Sequence, residues 1–191
     1  HAIYDLEWSL LKTKVEYGFG VLLEEDFETY SNFDAISGDW TNYIEEGSRD
    51  WIARTTNDTG NPGSRIAQIS AYNSGDVSTV SWLITPGLDL DAQEFEFFDF
   101  ESSNSFSDGS ELELLISTDW DGTDASVSSA TWTSLPGTIV PDATYYKDWI
   151  YSGLVDLSPY SGNAHIAFKY TANSGNTGTF EIDNIKVLVQ N

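Results

Sequence analysis

Apolar and polar residues alternate with a period of two along most of this chain, the pattern of strands half-buried against a core. In LELLIS, residues Leu112, Leu114 and Ile116 share a face; in HIAFKY, residues Ile166, Phe168 and Tyr170 do the same. Alternating segments at Trp40–Glu45, Trp51–Thr55, Arg65–Tyr72, Val80–Thr85 and Glu94–Glu101 predict strands in the first half. Glu111–Ser117, Thr131–Leu135, Trp149–Ser152, Ala164–Tyr170 and Thr179–Val189 predict strands in the second. Turn-forming clusters such as NDTGNPG, PGLD, DWDGTD and NSGNTG separate them. About ten strands at this spacing predict an all-β fold of two packed antiparallel sheets. Helical periodicity is confined to Asp5–Tyr17, which reads equally well as an extended lead-in. Residues 1–21 are expected to be an N-terminal extension, linker or edge element, and residues 22–191 a single domain.

The last strand breaks its own rhythm. Phe180 and Ile182 share one parity, whereas Ile185, Val187 and Val189 have the other, so the pattern slips at Asp183 and Asn184. One extra residue at that point predicts a β-bulge that re-aims Asp183, an acid set within a core pattern.

Composition narrows the function. The 31 acidic and 8 basic residues give a formal net charge of -23, and the few cations are scattered. Such a surface argues against nucleic acid and anionic membranes, whose binding depends on clustered Lys and Arg. The acidity serves solubility, or some carboxylates hold Ca²⁺, which prefers hard oxygen ligands. With no cysteine in the chain there is neither disulfide nor thiol chemistry. No apolar run approaches the ~20 residues of a membrane span.

Enzyme chemistry is hard to assemble. His165 is the one internal histidine and sits among apolar strand neighbours. There is no G-x-S-x-G elbow and no zinc-ligand spacing. Paired carboxylates about 5–10 Å apart would be the one open route, that of glycoside hydrolysis. The expectation is therefore no catalytic residues.

Several segments taken together resemble a known family. They are EEDFETY and GDWTNY (24–43), RDWIART (49–55), SWLITPGLDL (81–90), LLISTDWDGTD (114–124), ATWTSL (130–135), YSGLVDLSPYSGN (151–163), IAFKYTANSG (166–175) and TFEIDNIKV (179–187). In this order they resemble the choice-of-anchor J or cleaved-adhesin type of domain found in surface and secreted proteins of Bacteroidetes. The resemblance implies a jelly-roll β-sandwich, shaped like MAM domains and carbohydrate-binding modules, exported as part of a larger protein. It also implies a structural Ca²⁺ near the first and last strands. Glu28 and Asp183 are the foremost expected ligands, with Asp26, Ser48 and Asp50 completing a shell of about six to eight oxygens. Asp119, Asp121 and Asp124 in DWDGTD read as an acidic turn or a second cation loop.

Sugars stack their C–H faces on aromatic rings that lie outside a core. Of the seven Trp and ten Tyr, Trp82, Trp132 and Trp149 are expected to pack. Trp120, in a polar turn, and Tyr146, after PDAT, are the first candidates for a ligand surface; Tyr43 and Arg54 follow. The reading is a non-catalytic carbohydrate-binding module for a polysaccharide, and the net charge favours a neutral glycan over a sulfated or uronic one. The rivals are an adhesion module that contacts protein and, less favoured, a polysaccharide-degrading enzyme.

Overall fold

A computed structural model describes residues 19–56, 63–106, 109–141 and 149–190. The segment Asp5–Tyr17 lies outside the described residues. Thirteen strands are formed among them: β1 (Phe19–Glu25), β2 (Thr41–Glu46), β3 (Ile52–Thr55), β4 (Arg65–Ser70), β5 (Ser78–Ile84), β6 (Leu88–Asp89) and β7 (Glu94–Ser105), then β8 (Glu111–Ser117), β9 (Thr133–Ser134), β10 (Ile150–Tyr151), β11 (Val155–Asp156), β12 (Asn163–Asn173) and β13 (Thr179–Gln190). A 3-10 turn covers Asp124–Ser129. None of the described helical segments is long and apolar enough to cross a membrane.

The strands form two antiparallel sheets packed as a jelly-roll β-sandwich. The seven-stranded sheet runs β10-β7-β13-β4-β3, with β1 added to β13 and β11 to β7. The six-stranded sheet runs β2-β5-β12-β8-β9, with β6 added to β12. The boundary expected after residue 21 falls inside β1, whose Phe19 to Glu25 pair with Gln190 to Ile185 of β13. That strand belongs to the sandwich.

The core is what the alternation dictates. Leu112, Leu114, Ile116, Ile166, Phe168 and Tyr170 of the six-stranded sheet meet Ala67, Ile69, Phe98, Phe100, Phe180 and Ile182 of the other. Phe168 sits at the centre, fully buried, with the Phe100 ring edge-on at 4.9 Å and Trp51 at 6.5 Å. Tyr170 is also fully buried, and its hydroxyl donates to the Gly178 carbonyl at 2.7 Å, so the polar atom enters the core satisfied.

The expected bulge is present. Asp183 faces Glu101 and Lys186 faces Asp99, so β13 carries one residue more than β7 between these pairs. Asn184 takes φ +52°, a left-handed conformation that Asn tolerates better than most residues, and its side-chain amide donates to Glu101 at 2.7 Å. Beyond the bulge Ile185 and Val187 return to the core. On the outer side of this sheet Asp99 is buried, accepting from the Tyr151 hydroxyl at 3.0 Å. Desolvation pushes its carboxyl up to about 6, offset in part by Tyr151 and Lys186 and reinforced by Glu101.

Candidate functional site

The bulge lies where β13 changes partner. Thr179–Ile182 pair with β4, and Ile185–Gln190 pair with β1. Asp183 therefore sits at a gap between the end of β1 and the start of β4, 1% exposed. Glu28 reaches the same gap from the turn after β1. Its Oε1 accepts the Arg65 backbone N–H at 2.7 Å and the Ser64 hydroxyl at 2.8 Å. The Ser64 Oγ also lies 3.4 Å from Asp183 Oδ2 and 3.4 Å from the Arg65 carbonyl oxygen. Two carboxylates thus converge on one hydroxyl, which can give its single proton to only one acceptor at a time.

Of the five expected metal ligands, Glu28 and Asp183 are brought together. Asp26 is exposed, and its Oδ1 accepts the Glu28 N–H at 3.1 Å, shaping the turn that presents Glu28. Ser48 and Asp50 stand elsewhere, which corrects the expectation for both. Thr55 pairs with Arg65 at one end of the β3–β4 ladder and Ile52 with Gln68 at the other; Asp50 precedes Ile52, so an extended strand separates it from Ser64. The Ser48 N–H and hydroxyl donate to Asp76 instead, at 2.9 and 3.0 Å. Among the described residues no group of three or more His, Cys, Asp or Glu is arranged to hold a metal.

A second assembly covers the outer face of the six-stranded sheet. Tyr43 pairs with Trp82, Trp82 with Lys169, and Lys169 with Glu113, so these four residues form one row across β2, β5, β12 and β8. Strand alternation puts all four on the side away from the core. The segment from Asp119 to Trp132 folds back over one end of this face, where Trp82, Ile84, Leu115, Trp120, Val127 and Ala167 form a small apolar cluster. Half-buried Trp132 packs on Trp82 with ring centroids 5.2 Å apart and donates its indole N–H to the Val127 carbonyl at 2.9 Å. A groove of about 370 Å³ remains, lined by Trp82, Trp132, Glu45, Glu113, Lys169 and Ser134 among others. The Trp82 indole N–H donates to Glu45 Oε2 at 2.8 Å. The Lys169 ammonium lies 4.9 Å from the centre of the Trp82 ring and 3.9 Å from Glu113.

Trp120 is 5% exposed, which corrects the expectation that its polar turn would hold it in solvent. The turn's polar groups bond among themselves, so the ring is free to pack. Asp119 accepts the Thr131 N–H at 2.8 Å and the Ser117 hydroxyl at 2.9 Å. Asp121 accepts the Thr123 N–H at 2.9 Å and the Ser126 hydroxyl. The hydrogen bonds from Thr131 and Ser117 hold Asp119 below the usual carboxylate range, and those from Ser126 and Thr123 do the same for Asp121. The Trp120 indole donates to the Thr123 carbonyl at 3.0 Å, and His165 meets the ring edge-on at 4.6 Å. His165 is itself buried, its Nδ1 3.1 Å from the Thr85 carbonyl oxygen.

Tyr43 packs, half-buried, against the same cluster. Tyr146 lies outside the described residues. Arg54 is on the other sheet, its guanidinium 4.2 Å from the centre of the Phe33 ring. Sequence reasoning missed Glu45, Glu113, Lys169 and Ser64. The first three were within reach: the alternation that sends Leu112, Leu114 and Phe168 inward sends Glu113 and Lys169 outward.

No protein-family model matches the sequence, and no curated protein matches it. Among solved structures the fold is similar to the K1 cleaved adhesin domain of Lys-gingipain from Porphyromonas gingivalis W83, with a TM-score of 0.62, 16% identity, and coverage of 88% of this chain and 98% of that one. It is similar to the K2 cleaved adhesin domain of Lys-gingipain, with a TM-score of 0.58, 16% identity, and coverage of 88% and 99%. It is also similar to TmCBM61, solved in complex with β-1,4-galactotriose, with a TM-score of 0.54, 14% identity, and coverage of 86% and 94%. At these identities the likeness is one of fold.

Proposed function

We propose that this domain is a non-catalytic carbohydrate-binding module whose ligand lies in the groove on the outer face of the six-stranded sheet. The observation that carries the reading is the meeting of Trp132 and Trp82 with Glu45, Glu113 and Lys169 around one open groove. Half-buried Trp132, backed by the buried Trp82, offers a sugar ring its π face, while the carboxylates and the ammonium accept from and donate to its hydroxyls. The rigid sheet fixes the row Tyr43–Trp82–Lys169–Glu113, so little ordering entropy is lost on binding. The fold supports the reading to the extent that TmCBM61, built alike, is seen with a galactotriose. On this reading the ligand of the groove is a neutral polysaccharide and the module works outside the cell, as part of a larger surface or secreted protein.

A Ca²⁺ ion at the β1–β4 gap is part of the same proposal. Glu28, Asp183, the Ser64 hydroxyl and the Arg65 carbonyl would hold it, and its role would be to tie the first and last strands to β4. Both carboxylates already point at one oxygen there, which is the observation in its favour.

A glycan microarray tests the reading. The wild type is expected to bind neutral β-linked glycans, and Trp132→Ala is expected to lose them while remaining folded by circular dichroism, at a lowered melting temperature because the ring packs on Trp82. Binding to no glycan by a folded wild type would favour the adhesion reading. Release of soluble sugars from a polysaccharide panel would make it an enzyme.

A further inference from the structure

The larger concavity lies on the opposite sheet. It has a volume of about 430 Å³, and Arg49, Asp50, Arg54, Gln68, Tyr72 and Phe106 contribute to its walls. Its floor is the outer side of β3, β4 and β13, where Arg54 alternates with the buried Ala53 and Gln68 with the buried Ala67 and Ile69.

The charges in it run against the rest of the molecule. The chain has 31 acids and three arginines, yet two of those arginines line this one pocket. The ion pairs among the described residues are Lys169–Glu113 and Lys186–Glu24, so neither Arg49 nor Arg54 has a carboxylate within pairing distance among them. Both are held by uncharged contacts instead. Arg49 donates an Nη2 proton to the Tyr72 carbonyl at 3.0 Å, and Arg54 stacks on Phe33 at 4.2 Å. The Nε atoms of both are shielded from solvent and have no hydrogen-bond partner. Arg65, outside the pocket, shares this feature, so what sets Arg49 and Arg54 apart is their place in one pocket without an ion-pair partner. Asp50 shares the pocket, so the charged residues of its lining sum to one positive charge. Glu181, beside Gln68 on the neighbouring strand, accepts from the Gln68 amide at 2.7 Å.

The aromatic side chains that line the pocket are exposed. Tyr72 is 67% and Phe106 58% accessible. Two guanidinium groups and two aromatic side chains lining one pocket match an anion carried on a ring with apolar faces. Guanidinium forks bind carboxylates in a planar, two-bonded geometry.

We infer that the outer face of the seven-stranded sheet holds a second, separate site for a carboxylate-bearing sugar, a hexuronate unit of an acidic polysaccharide. Arg49 and Arg54 bind the carboxylate, and Tyr72 and Phe106 flank the ring. The choice of a sugar over an acidic peptide rests on the glycan-binding reading above; the anion site itself does not. The acidity of the whole surface is no bar at physiological salt, where screening confines charge interactions to about 8 Å.

Titration calorimetry in about 150 mM NaCl, a physiological ionic strength, with trigalacturonate, galactotriose and a hexaglutamate peptide tests this on the wild type, Arg49→Gln, Arg54→Gln, Arg54→Lys and Trp132→Ala. Trigalacturonate is expected to bind the wild type and Trp132→Ala equally, and to weaken about tenfold or more in each Gln variant. Arg54→Lys keeps the charge without the fork and should fall between. Galactotriose binding, whatever its strength, should not respond to the arginine variants. Three results would overturn the inference: no trigalacturonate binding, binding that depends on Trp132 and not on the arginines, or binding of hexaglutamate in preference to the sugar. Far-UV circular dichroism on each variant separates loss of the site from loss of the fold. Loss of galactotriose binding alone would count against the groove and leave this site standing.

Discussion

Replacing Asp99 by Asn should make the domain more stable at neutral pH and leave it nearly unchanged in acid. Asp99 is 2% exposed and its carboxyl is pushed up to about 6, against an ordinary carboxylate value of 3.8. Between these two values the folded state binds a proton that the unfolded chain releases, so stability falls as pH rises through the interval and stays reduced above it. A difference of roughly two units, at about 1.4 kcal/mol each, costs about 3 kcal/mol once pH exceeds about 6. The amide keeps an oxygen to accept the Tyr151 hydroxyl and carries no charge to desolvate. Lys186, across the ladder, keeps its 2.9 Å ion pair with Glu24. Asp99→Asn should therefore gain about 3 kcal/mol near pH 7.5, roughly 6–12 °C in melting temperature for a chain of this size, and almost nothing below about pH 4. Urea unfolding of both proteins at about pH 4, 5, 6 and 7.5 measures the difference directly. Parallel curves across that range, or an equal loss for Asp99→Asn at every pH, would mean that burial of this carboxylate carries no such cost.

Other expectations follow from the same structure. Phe168→Ala removes a fully buried ring at the centre of the sandwich, and chemical denaturation should show a loss of about 3–5 kcal/mol. If Ca²⁺ sits at the β1–β4 gap, a chelator should lower the melting temperature of the wild type by several degrees, and Glu28→Gln should abolish that response. An unchanged melt, with no metal in the purified protein by elemental analysis, would remove the ion from the account.

Legibility of the fold followed from how local the determining physics was. The faces of β8 and β12 could be read from Leu112 to Ile116 and Ile166 to Tyr170, because period-two alternation is a property of a few adjacent residues. The bulge at Asp183 was legible for the same reason. Strands β1, β6 and β11 were not. β6 and β11 are two residues each and exist through their partners β12 and β7; β1 leaves Val21 and Leu22 exposed while Leu23 packs on the core, its alternation interrupted by a register shift between Val21 and Leu23.

The site was legible in part. Glu28 and Asp183 meet because the first and last strands are neighbours, a topological fact carried by the family resemblance. Ser64, which links them, comes from a loop with no signal of its own. Trp120 misled because polarity of sequence neighbours stands for exposure only when those neighbours face water, and here Asp119 and Asp121 bond to Ser117, Thr123, Ser126 and Thr131 instead. Net charge, a property of the whole surface, concealed that two of the three arginines, Arg49 and Arg54, line one pocket.

Whether the Trp132 groove binds a neutral glycan is open to a single spectroscopic titration. Half-buried Trp132 lines the groove with Trp82 packed against it, 3% exposed, so intrinsic tryptophan fluorescence reports on its occupancy when the best neutral oligosaccharide from the array is added. The wild type should show a saturable spectral change. In Trp132→Ala the affinity should be at least about tenfold lower, which is about 1.4 kcal/mol. A folded Trp132→Ala that binds as tightly as the wild type, or a wild type whose spectrum no neutral glycan alters, would contradict the assignment of the groove.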